Sequence, residues 1–226
     1  MSLQEELESF VARSRTQLPP DVLAAVERSI DELKSSGLEE RALSVGDRAP
    51  DFTLCNALGH PVSLSNFLTR GPLIISFYRG SWCPYCNLEL RAYQLIIGDI
   101  REAGGDFIAI LPQTPDRSLT ISEKNAFAFE VLSDPANKTA KAFGIAHTVP
   151  EIVRRIVASF GEPLANHNGG HDELLPFPAT FVIDRDGWIV DAHVDPDFRR
   201  RLEPSDALAA LHRLVDRAPL ARLRHA

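Results

Sequence analysis

The sequence has little cysteine, no excess of basic charge and no long apolar segment, and each absence excludes a class of protein. Three cysteines among 226 residues are too few for a small secreted scaffold held together by disulfides. Acidic residues exceed basic ones by 31 to 24, which argues against a nucleic-acid binder. No apolar run approaches the roughly 18 residues needed to span a membrane. The first residues carry no signal-peptide pattern, so we expect a cytoplasmic protein without membrane or nucleic-acid partners.

Residues 1–43 predict a helical extension. A first apolar stripe ends at Pro19-Pro20, and a second runs from Pro20 to about Ser35, where Gly37 can terminate the helix. Two such amphipathic helices cannot bury their stripes alone. They either pack on the main domain or pair with a second copy, which predicts a possible homodimer through these helices. The stripe residues are Leu3, Leu7, Phe10, Val11, Val22, Ala25, Val26, Ile30 and Leu33.

From residue 44 onward, short apolar runs alternate with helical stretches, which is typical of an α/β fold with a largely buried sheet. We expect one domain over residues 44–218 and a basic tail over 219–226. The predicted strands are Asp51–Leu54, Val62–Leu64, Leu73–Tyr78, Phe107–Leu111, Phe129–Leu132, Thr180–Asp184 and Trp188–His193, the last two forming a hairpin. The predicted helices are Cys83–Ile100, Asp116–Asn125, Asp134–Phe143, Pro150–Phe160 and Pro204–Val215.

The most informative segment is the pair of cysteines in Cys83-Pro84-Tyr85-Cys86, between a buried strand and a helix. This junction places Cys83 at the amino terminus of the helix, where free N–H groups and the helix dipole favour a thiolate with a lowered pKa. Pro84 suits the first helical position. Cys86 lies three residues further on, so it can attack an oxidised Cys83 and close a disulfide.

Two alternatives to redox chemistry remain for this pair: half of a zinc site, or two inert buried thiols. A zinc site needs further ligands, and Cys55 is the only other cysteine. His167 and His171 could contribute, but they lie in a glycine-rich segment that we expect to be solvated. We predict a packing role for Cys55. We expect no metal ion, and no nucleotide or flavin cofactor, since no phosphate-binding glycine loop is present.

Other residues support a redox site. A cis peptide between Phe177 and Pro178 would let the backbone approach the cysteine pair. Trp82 could shield a disulfide and, with Tyr85, offer a flat surface to a partner protein. The run Arg199-Arg200-Arg201 reads as a solvated or subunit-pairing face.

Several of these segments together resemble the peroxiredoxin superfamily, specifically its alkyl hydroperoxide reductase C / thiol-specific antioxidant group. The motifs are Val45–Phe52, the strand before Cys83, Leu132–Pro135 leading into Lys141–Gly144, and Thr180–Asp184. The resemblance covers about residues 44–215. It implies a thioredoxin-like fold, in which a central mixed sheet is flanked by helices.

The resemblance also implies a function. Cys83 would be the peroxidatic cysteine that reduces hydrogen peroxide or organic hydroperoxides, and Cys86 would be the resolving cysteine. A thioredoxin- or glutaredoxin-like dithiol donor would restore both.

The chain departs from the family pattern at two positions. Gly80 stands where the family has a threonine or serine hydroxyl, although Ser81 follows it, and Pro178 stands where related members have an arginine. Arg79 could replace that positive charge. These departures keep open a thioredoxin-like dithiol–disulfide oxidoreductase, and also a non-catalytic redox-sensing module. A cation and a hydrogen-bond donor converging on the Cys83 sulfur would favour the peroxidase.

Overall fold

A seven-stranded mixed sheet forms the centre of the chain, and the computed structural model describes residues 1–118, 127–159, 161–171 and 173–222. The strand order is β2-β1-β5-β4-β3-β8-β9, with β3, β4 and β5 parallel to one another and all other neighbours antiparallel. This confirms the predicted α/β class with a central mixed sheet. The strands are β1 (Thr53–Asn56), β2 (Pro61–Ser63), β3 (Leu73–Phe77), β4 (Asp106–Leu111), β5 (Glu130–Ser133), β8 (Ala179–Ile183) and β9 (Ile189–Val194).

Two short strands were not predicted. β6 (Ala146–Thr148) and β7 (Leu174–Pro176) pair with each other in a second, two-stranded sheet. Each strand has only three residues, so neither carries an alternation long enough to be recognised in the sequence.

Helices flank the sheet and mostly follow the predicted bounds. They are α1 (Leu3–Gln17), α2 (Pro20–Ser35), α3 (Leu64–Leu68), α4 (Pro84–Glu102), α5 (Lys138–Ala142), α6 (Glu151–Ser159), α7 (Leu164–His167) and α8 (Pro204–Arg222), together with a 3₁₀ turn at Leu38–Arg41. The predicted helix at Asp116–Asn125 is helical over residues 115–118 and otherwise lies outside the described residues. Within the described ranges, no helix is both long and apolar enough to cross a membrane.

Two predicted boundaries were wrong. The helix expected from Asp134 begins only at Lys138, because the Asp134 carboxylate accepts the backbone N–H groups of Lys138 and Ala140 at 2.8 and 3.0 Å. An aspartate that satisfies these free N–H groups lies before the helix rather than inside it. At the other end of the chain, α8 continues to Arg222, beyond the predicted end of this helix at Val215.

The sheet is buried on both faces, which explains the continuous apolar run of β3. Leu73, Ile75 and Phe77 join one core cluster, which also contains Phe143. Ile74 joins the cluster on the opposite face, which contains Cys83, Cys86, Leu90 and Tyr93. The cysteine pair therefore lies within the apolar core of one sheet face.

The helical extension packs on the domain of the same chain. Leu7 and Ile30 are buried, and the Glu203 carboxylate accepts the backbone N–H groups of Leu3 and Gln4 at 3.3 and 2.6 Å. The two helices therefore pack on the main domain, which is the first of the two arrangements that the sequence allowed. The homodimer stays a prediction.

Candidate active site

The cysteine pair lies where β3 gives way to α4, as predicted. Cys83 occupies the N-cap of α4, with extended backbone angles, and Pro84 is the first helical residue. Both cysteines are free thiols, with 1% of Cys83 and 0% of Cys86 exposed. The helix amino terminus thus presents its unpaired N–H groups beside a buried Cys83 sulfur.

A polar network fixes the loop before Cys83. The Gln113 side-chain oxygen accepts the Ser81 N–H at 2.8 Å, and the Asn87 amide donates to the Ser81 carbonyl at 2.9 Å. Gln113 is fully buried, and its amide nitrogen lies 3.1 Å from Nδ1 of His167. Gln113 was not among the predicted site residues, although its place just after β4, at the carboxyl end of the strand beside β3, was a usable signal. His167 was expected to be solvated and is instead half-buried in this network.

Arg79 is one of two buried cations at the cysteine pair. Its guanidinium lies between two aromatic rings, with the Trp82 centroid at 5.0 Å and the Phe198 centroid at 4.2 Å. Such cation–π contacts hold the charge in place while most of the side chain is away from water. Arg79 thus holds a buried positive charge against Trp82, next to Cys83, and its role in place of the family's arginine stays a prediction.

Arg201 is the second cation, and it was not among the predicted site residues. Its side chain is 1% exposed, donates to the Cys86 sulfur at 3.4 Å and forms an ion pair with the equally buried Glu89. Glu89 also accepts hydrogen bonds from the hydroxyls of Ser76 and Thr180, both at 3.3 Å. The prediction of a solvated arginine face was wrong for Arg201, because Glu89 balances its charge inside the core.

The neighbouring arginine is also mostly buried. Arg199 forms ion pairs with Asp197 and Glu27, each at 2.7 Å, and so ties the loop after β9 to α2. Only Arg200 of the three fits the predicted solvated face, with its side chain 65% exposed.

These charges separate the acidities of the two cysteines. Burial opposes ionisation of Cys83, but the hydrogen bond from Cys86 and the charges of Arg79 and Arg201 outweigh it and lower its pKa to about 6. Burial raises the pKa of Cys86 well above its usual value, and the adjacent Cys83 raises it further. Near neutral pH, Cys83 is therefore the thiolate and Cys86 the protonated thiol.

This asymmetry predicts the pH dependence of alkylation. In a Cys55→Ser background, iodoacetamide should label Cys83 with a midpoint near pH 6, because only the thiolate reacts. Mass spectrometry of the modified peptide measures the rate. Arg79→Met should move the midpoint to higher pH, since it removes one of the two cations. A midpoint near the pKa of about 8.5 of an ordinary cysteine would contradict the predicted site electrostatics.

Gly80 explains why the family's hydroxyl is absent. Its φ is +141°, a conformation that residues with side chains rarely adopt, and a Cβ there would lie 2.5 Å from Nε1 of Trp82. The indole ring therefore fills the space that a threonine or serine side chain would need. The departure from the family pattern follows from the way Trp82 packs.

Restoring the family residue should therefore fail. Gly80→Thr is expected to lower the free energy of unfolding by about 1–3 kcal/mol and not to accelerate peroxide reduction, because it adds backbone strain and a clash with Trp82. Urea denaturation and peroxidase assays test this. Gly98→Ala is the matched control: it lies exposed in α4 with open space around it, so it should stabilise by about 0.5–1 kcal/mol. A Gly80→Thr variant that is faster and equally stable would refute this explanation.

The other predicted site residues have different surroundings. Tyr85 is half-buried between Phe10 of α1 and Phe198, at centroid distances of 5.0 and 5.4 Å, so it contacts the extension rather than an open partner surface. The Phe177–Pro178 peptide is trans, so the cis form that the sequence left open is not adopted. The Phe177 N–H donates to the Ile145 carbonyl at 2.7 Å, which keeps this segment extended.

Pro178 lies close to Arg79, whereas Cys55 lies on β1, away from β3 and the cysteine pair. Pro178 is buried beside a small void that it shares with Arg79 and Phe198. Cys55 is exposed on β1, contrary to its predicted packing role. Among the described residues, no group of three or more histidine, cysteine, aspartate or glutamate side chains is placed to hold a metal ion.

Comparison with known proteins decides the family. Residues 45–192 match the AhpC/TSA family. The chain belongs to this family. A protein of Mycobacterium tuberculosis named as a peroxiredoxin is 31% identical over 150 residues, which cover 66% of this chain and 84% of that relative. Chloroplastic peroxiredoxin Q of Sedum lineare is 30% identical over 144 residues, covering 64% and 65% of the two chains.

Solved structures agree on the fold. Peroxidoxin BcpB of Mycobacterium tuberculosis aligns with a TM-score of 0.60 and 23% identity, covering 76% of this chain and 98% of its own. A PrxQ variant of Xylella fastidiosa aligns with a TM-score of 0.59 and 17% identity, covering 78% of this chain and 98% of its own. The thioredoxin-like fold and the peroxiredoxin superfamily are confirmed, and this AhpC/TSA member is a thiol-dependent peroxidase. The family match begins at residue 45, so α1 and α2 lie outside it.

Proposed function

We propose that the chain reduces hydroperoxides with Cys83 as the peroxidatic and Cys86 as the resolving cysteine. The observation that carries this assignment is the position of Cys83 at the helix amino terminus, where the hydrogen bond from Cys86 and the charges of the buried Arg79 and Arg201 outweigh the effect of burial and lower its pKa to about 6. A cation and a hydrogen-bond donor acting on the Cys83 sulfur were the features expected of a peroxidase rather than a general disulfide oxidoreductase. The charge of Arg79 and the hydrogen bond from Cys86 both favour the Cys83 thiolate. The trans peptide before Pro178 gives the oxidoreductase alternative no support.

In the first step, the Cys83 thiolate attacks the terminal oxygen of the hydroperoxide. A sulfur–oxygen bond forms as the oxygen–oxygen bond breaks, leaving Cys83 as a sulfenic acid. The departing alkoxide or hydroxide takes up a proton and leaves as an alcohol or water. Arg79 faces the same cavity as Cys83, so its charge can stabilise the oxygen that becomes negative.

In the second step, Cys86 attacks the oxidised Cys83 sulfur. The Cys86 thiol loses its proton, a disulfide forms, and the sulfenic oxygen leaves as water. Arg201, 3.4 Å from the Cys86 sulfur, favours the Cys86 thiolate as it forms. A thioredoxin- or glutaredoxin-like dithiol then reduces the disulfide through a mixed disulfide, in a reducing compartment that we propose to be the cytoplasm.

Stoichiometry tests this assignment. One equivalent of hydrogen peroxide added to the reduced protein should consume two thiols and leave one Cys83–Cys86 disulfide, with Cys55 still free by peptide mapping. Reduction of insulin disulfides, assayed in parallel, should be slow. Rapid insulin reduction combined with slow oxidation by peroxide would instead establish the oxidoreductase.

A further inference from the structure

Cys86 contacts one nitrogen of a buried guanidinium whose other terminal nitrogen is paired with a carboxylate. Nη2 of Arg201 donates to the Cys86 sulfur at 3.4 Å, and Nη1 forms the ion pair with Glu89. Nε and Nη2 also donate to the Phe198 carbonyl, at 2.9 and 2.7 Å. Because these bonds fix the guanidinium and Glu89 balances it inside the core, a positive charge is held beside the Cys86 sulfur.

The four buried charges around the cysteine pair balance in the reduced protein. Arg79 and Arg201 are positive, whereas Glu89 and the Cys83 thiolate are negative. Reaction with a peroxide converts this thiolate to a sulfenic acid, Cys83–SOH, which carries no charge. Two positive charges then face one negative charge within the apolar core, where an uncompensated charge is costly.

Cys86 is the group that can restore the balance. In the reduced protein, burial raises its pKa well above the usual value, and the hydrogen bond with Cys83 and the negative charge of Cys83 raise it further. The two influences that come from Cys83 end when that sulfur becomes neutral. The charge of Arg201 and a hydrogen bond from the backbone of Arg79, which both favour the Cys86 thiolate, remain.

The neighbouring ionisable groups leave this transfer to Cys86. Tyr78, just after β3, faces Cys86, but burial raises the pKa of its hydroxyl well above the usual value, so Tyr78 stays neutral. Glu89, one turn further along α4, is already paired with Arg201. His193 of β9 faces Arg201, and burial lowers the pKa of its imidazole, so it is neutral near pH 7 as well.

We propose that Arg201 is a catalytic residue that acts on the two cysteines in succession, stabilising the Cys83 thiolate before oxidation and the Cys86 thiolate after it. The departing alkoxide or hydroxide takes the proton of the Cys86 thiol, so that Cys83–S⁻, Cys86–SH and ROOH give Cys83–SOH, Cys86–S⁻ and ROH. The Cys86 thiolate then attacks the Cys83 sulfur; the S–S bond forms as the S–O bond breaks, and the leaving hydroxide takes a proton from solvent. Oxidation of Cys83 thus activates the resolving cysteine. This inference rests on the proposed roles of the two cysteines.

Cys83→Ser tests the transfer of charge directly, because serine leaves position 83 neutral, as oxidation does. In Cys55→Ser/Cys83→Ser protein, the ultraviolet absorbance of the Cys86 thiolate should appear with a midpoint below about pH 7, whereas an ordinary thiol ionises near pH 8.5. Adding Arg201→Met together with Glu89→Gln should move this midpoint above about pH 8.5. The double substitution is used because it leaves no unpaired carboxylate in the core.

The pH profile of the second step is an independent measurement. In a Cys55→Ser background, the rate of disulfide formation that no longer rises with peroxide concentration is the rate of this step, and mass spectrometry after an acid quench measures it. It should stay level from about pH 6.5 to about pH 8, because Cys86 is already the thiolate. In the Arg201→Met/Glu89→Gln variant it should rise about tenfold per pH unit, because the Cys86 thiol must first ionise.

The control and the contrary results are as specific. Arg200→Met removes an exposed cation from the same run and should change neither the midpoint nor the profile. A Cys86 midpoint at or above about pH 8.5 in the Cys83→Ser protein, or a second step that rises about tenfold per pH unit with Arg201 present, would overturn the inference. Either result would leave the proposed function intact, whereas failure of peroxide to oxidise Cys83 would refute that function itself.

Discussion

Cys83→Ser is expected to abolish peroxide reduction, with a loss of at least about 10³-fold, the scale on which enzymes respond to removal of their nucleophile. The serine hydroxyl is not ionised near neutral pH, so the same helix terminus and the same arginines act on a group that cannot attack. The assay is the consumption of hydrogen peroxide by the protein with dithiothreitol as reductant. Cys55→Ser is the control and should keep the wild-type rate, because Cys55 is exposed on β1, away from the cysteine pair.

Cys86→Ser separates the two cysteines. It should retain the first oxidation of Cys83 and accumulate the sulfenic acid, which dimedone traps for mass spectrometry, because no internal thiol remains to close the disulfide. Turnover with a protein dithiol donor should fall, since the disulfide that this donor reduces no longer forms. Dimedone labelling at Cys55 instead of Cys83 would contradict the assignment.

Arg201→Met should have the second largest effect. It should change both the free energy of unfolding and the pKa of Cys83. It leaves the Glu89 carboxylate in the core without its ion-pair partner, and breaking a buried pair in this way costs about 3–5 kcal/mol. The pKa of Glu89 is already raised by burial, so protonation of Glu89 should absorb part of this cost. The double variant Arg201→Met/Glu89→Gln should therefore recover stability in urea denaturation.

The effect of Arg201→Met on the pKa of Cys83 is distinct from its effect on stability. Without the Arg201 charge, the pKa of Cys83 should rise, and a rise of one unit from about 6 lowers the thiolate fraction at pH 6 by about fivefold. The double variant should keep this slower alkylation even where its stability recovers. Arg200→Met is the control, because Arg200 is exposed and should affect neither property. An Arg201→Met variant with an unchanged alkylation profile would exclude Arg201 from the site.

The sequence alone predicted the elements whose signal lies within a short segment of the chain. The continuous apolar run at Leu73–Tyr78 predicted a strand buried on both faces, and the Cys83-Pro84 junction predicted the helix start, because both depend on neighbouring residues. The same holds for α1 and α2, whose bounds are set by Pro19-Pro20 and Gly37.

The electrostatics of the site could not be predicted from short segments, because they depend on residues far apart in the chain. Arg201 lies 115 residues from Cys86 along the chain, in a run of three arginines of which only Arg200 is strongly exposed. Nothing in the run distinguishes the buried member, because its burial depends on Glu89, a residue that reads as an ordinary helical carboxylate. From the sequence alone, Gly80 indicated only that the family's threonine or serine hydroxyl is missing. The tertiary packing of Trp82 shows why glycine is required there.

The rate of Cys83 oxidation by hydrogen peroxide as a function of pH tests the central claim most directly. Reduced Cys55→Ser protein is mixed with peroxide in a quenched-flow instrument, and the oxidation state of Cys83 is read by mass spectrometry. The site geometry predicts a rate that rises with a midpoint near pH 6, then stays level, and far exceeds that of a free thiol at pH 7. A rate that matches a free thiol and keeps rising to pH 8 or 9 would contradict it.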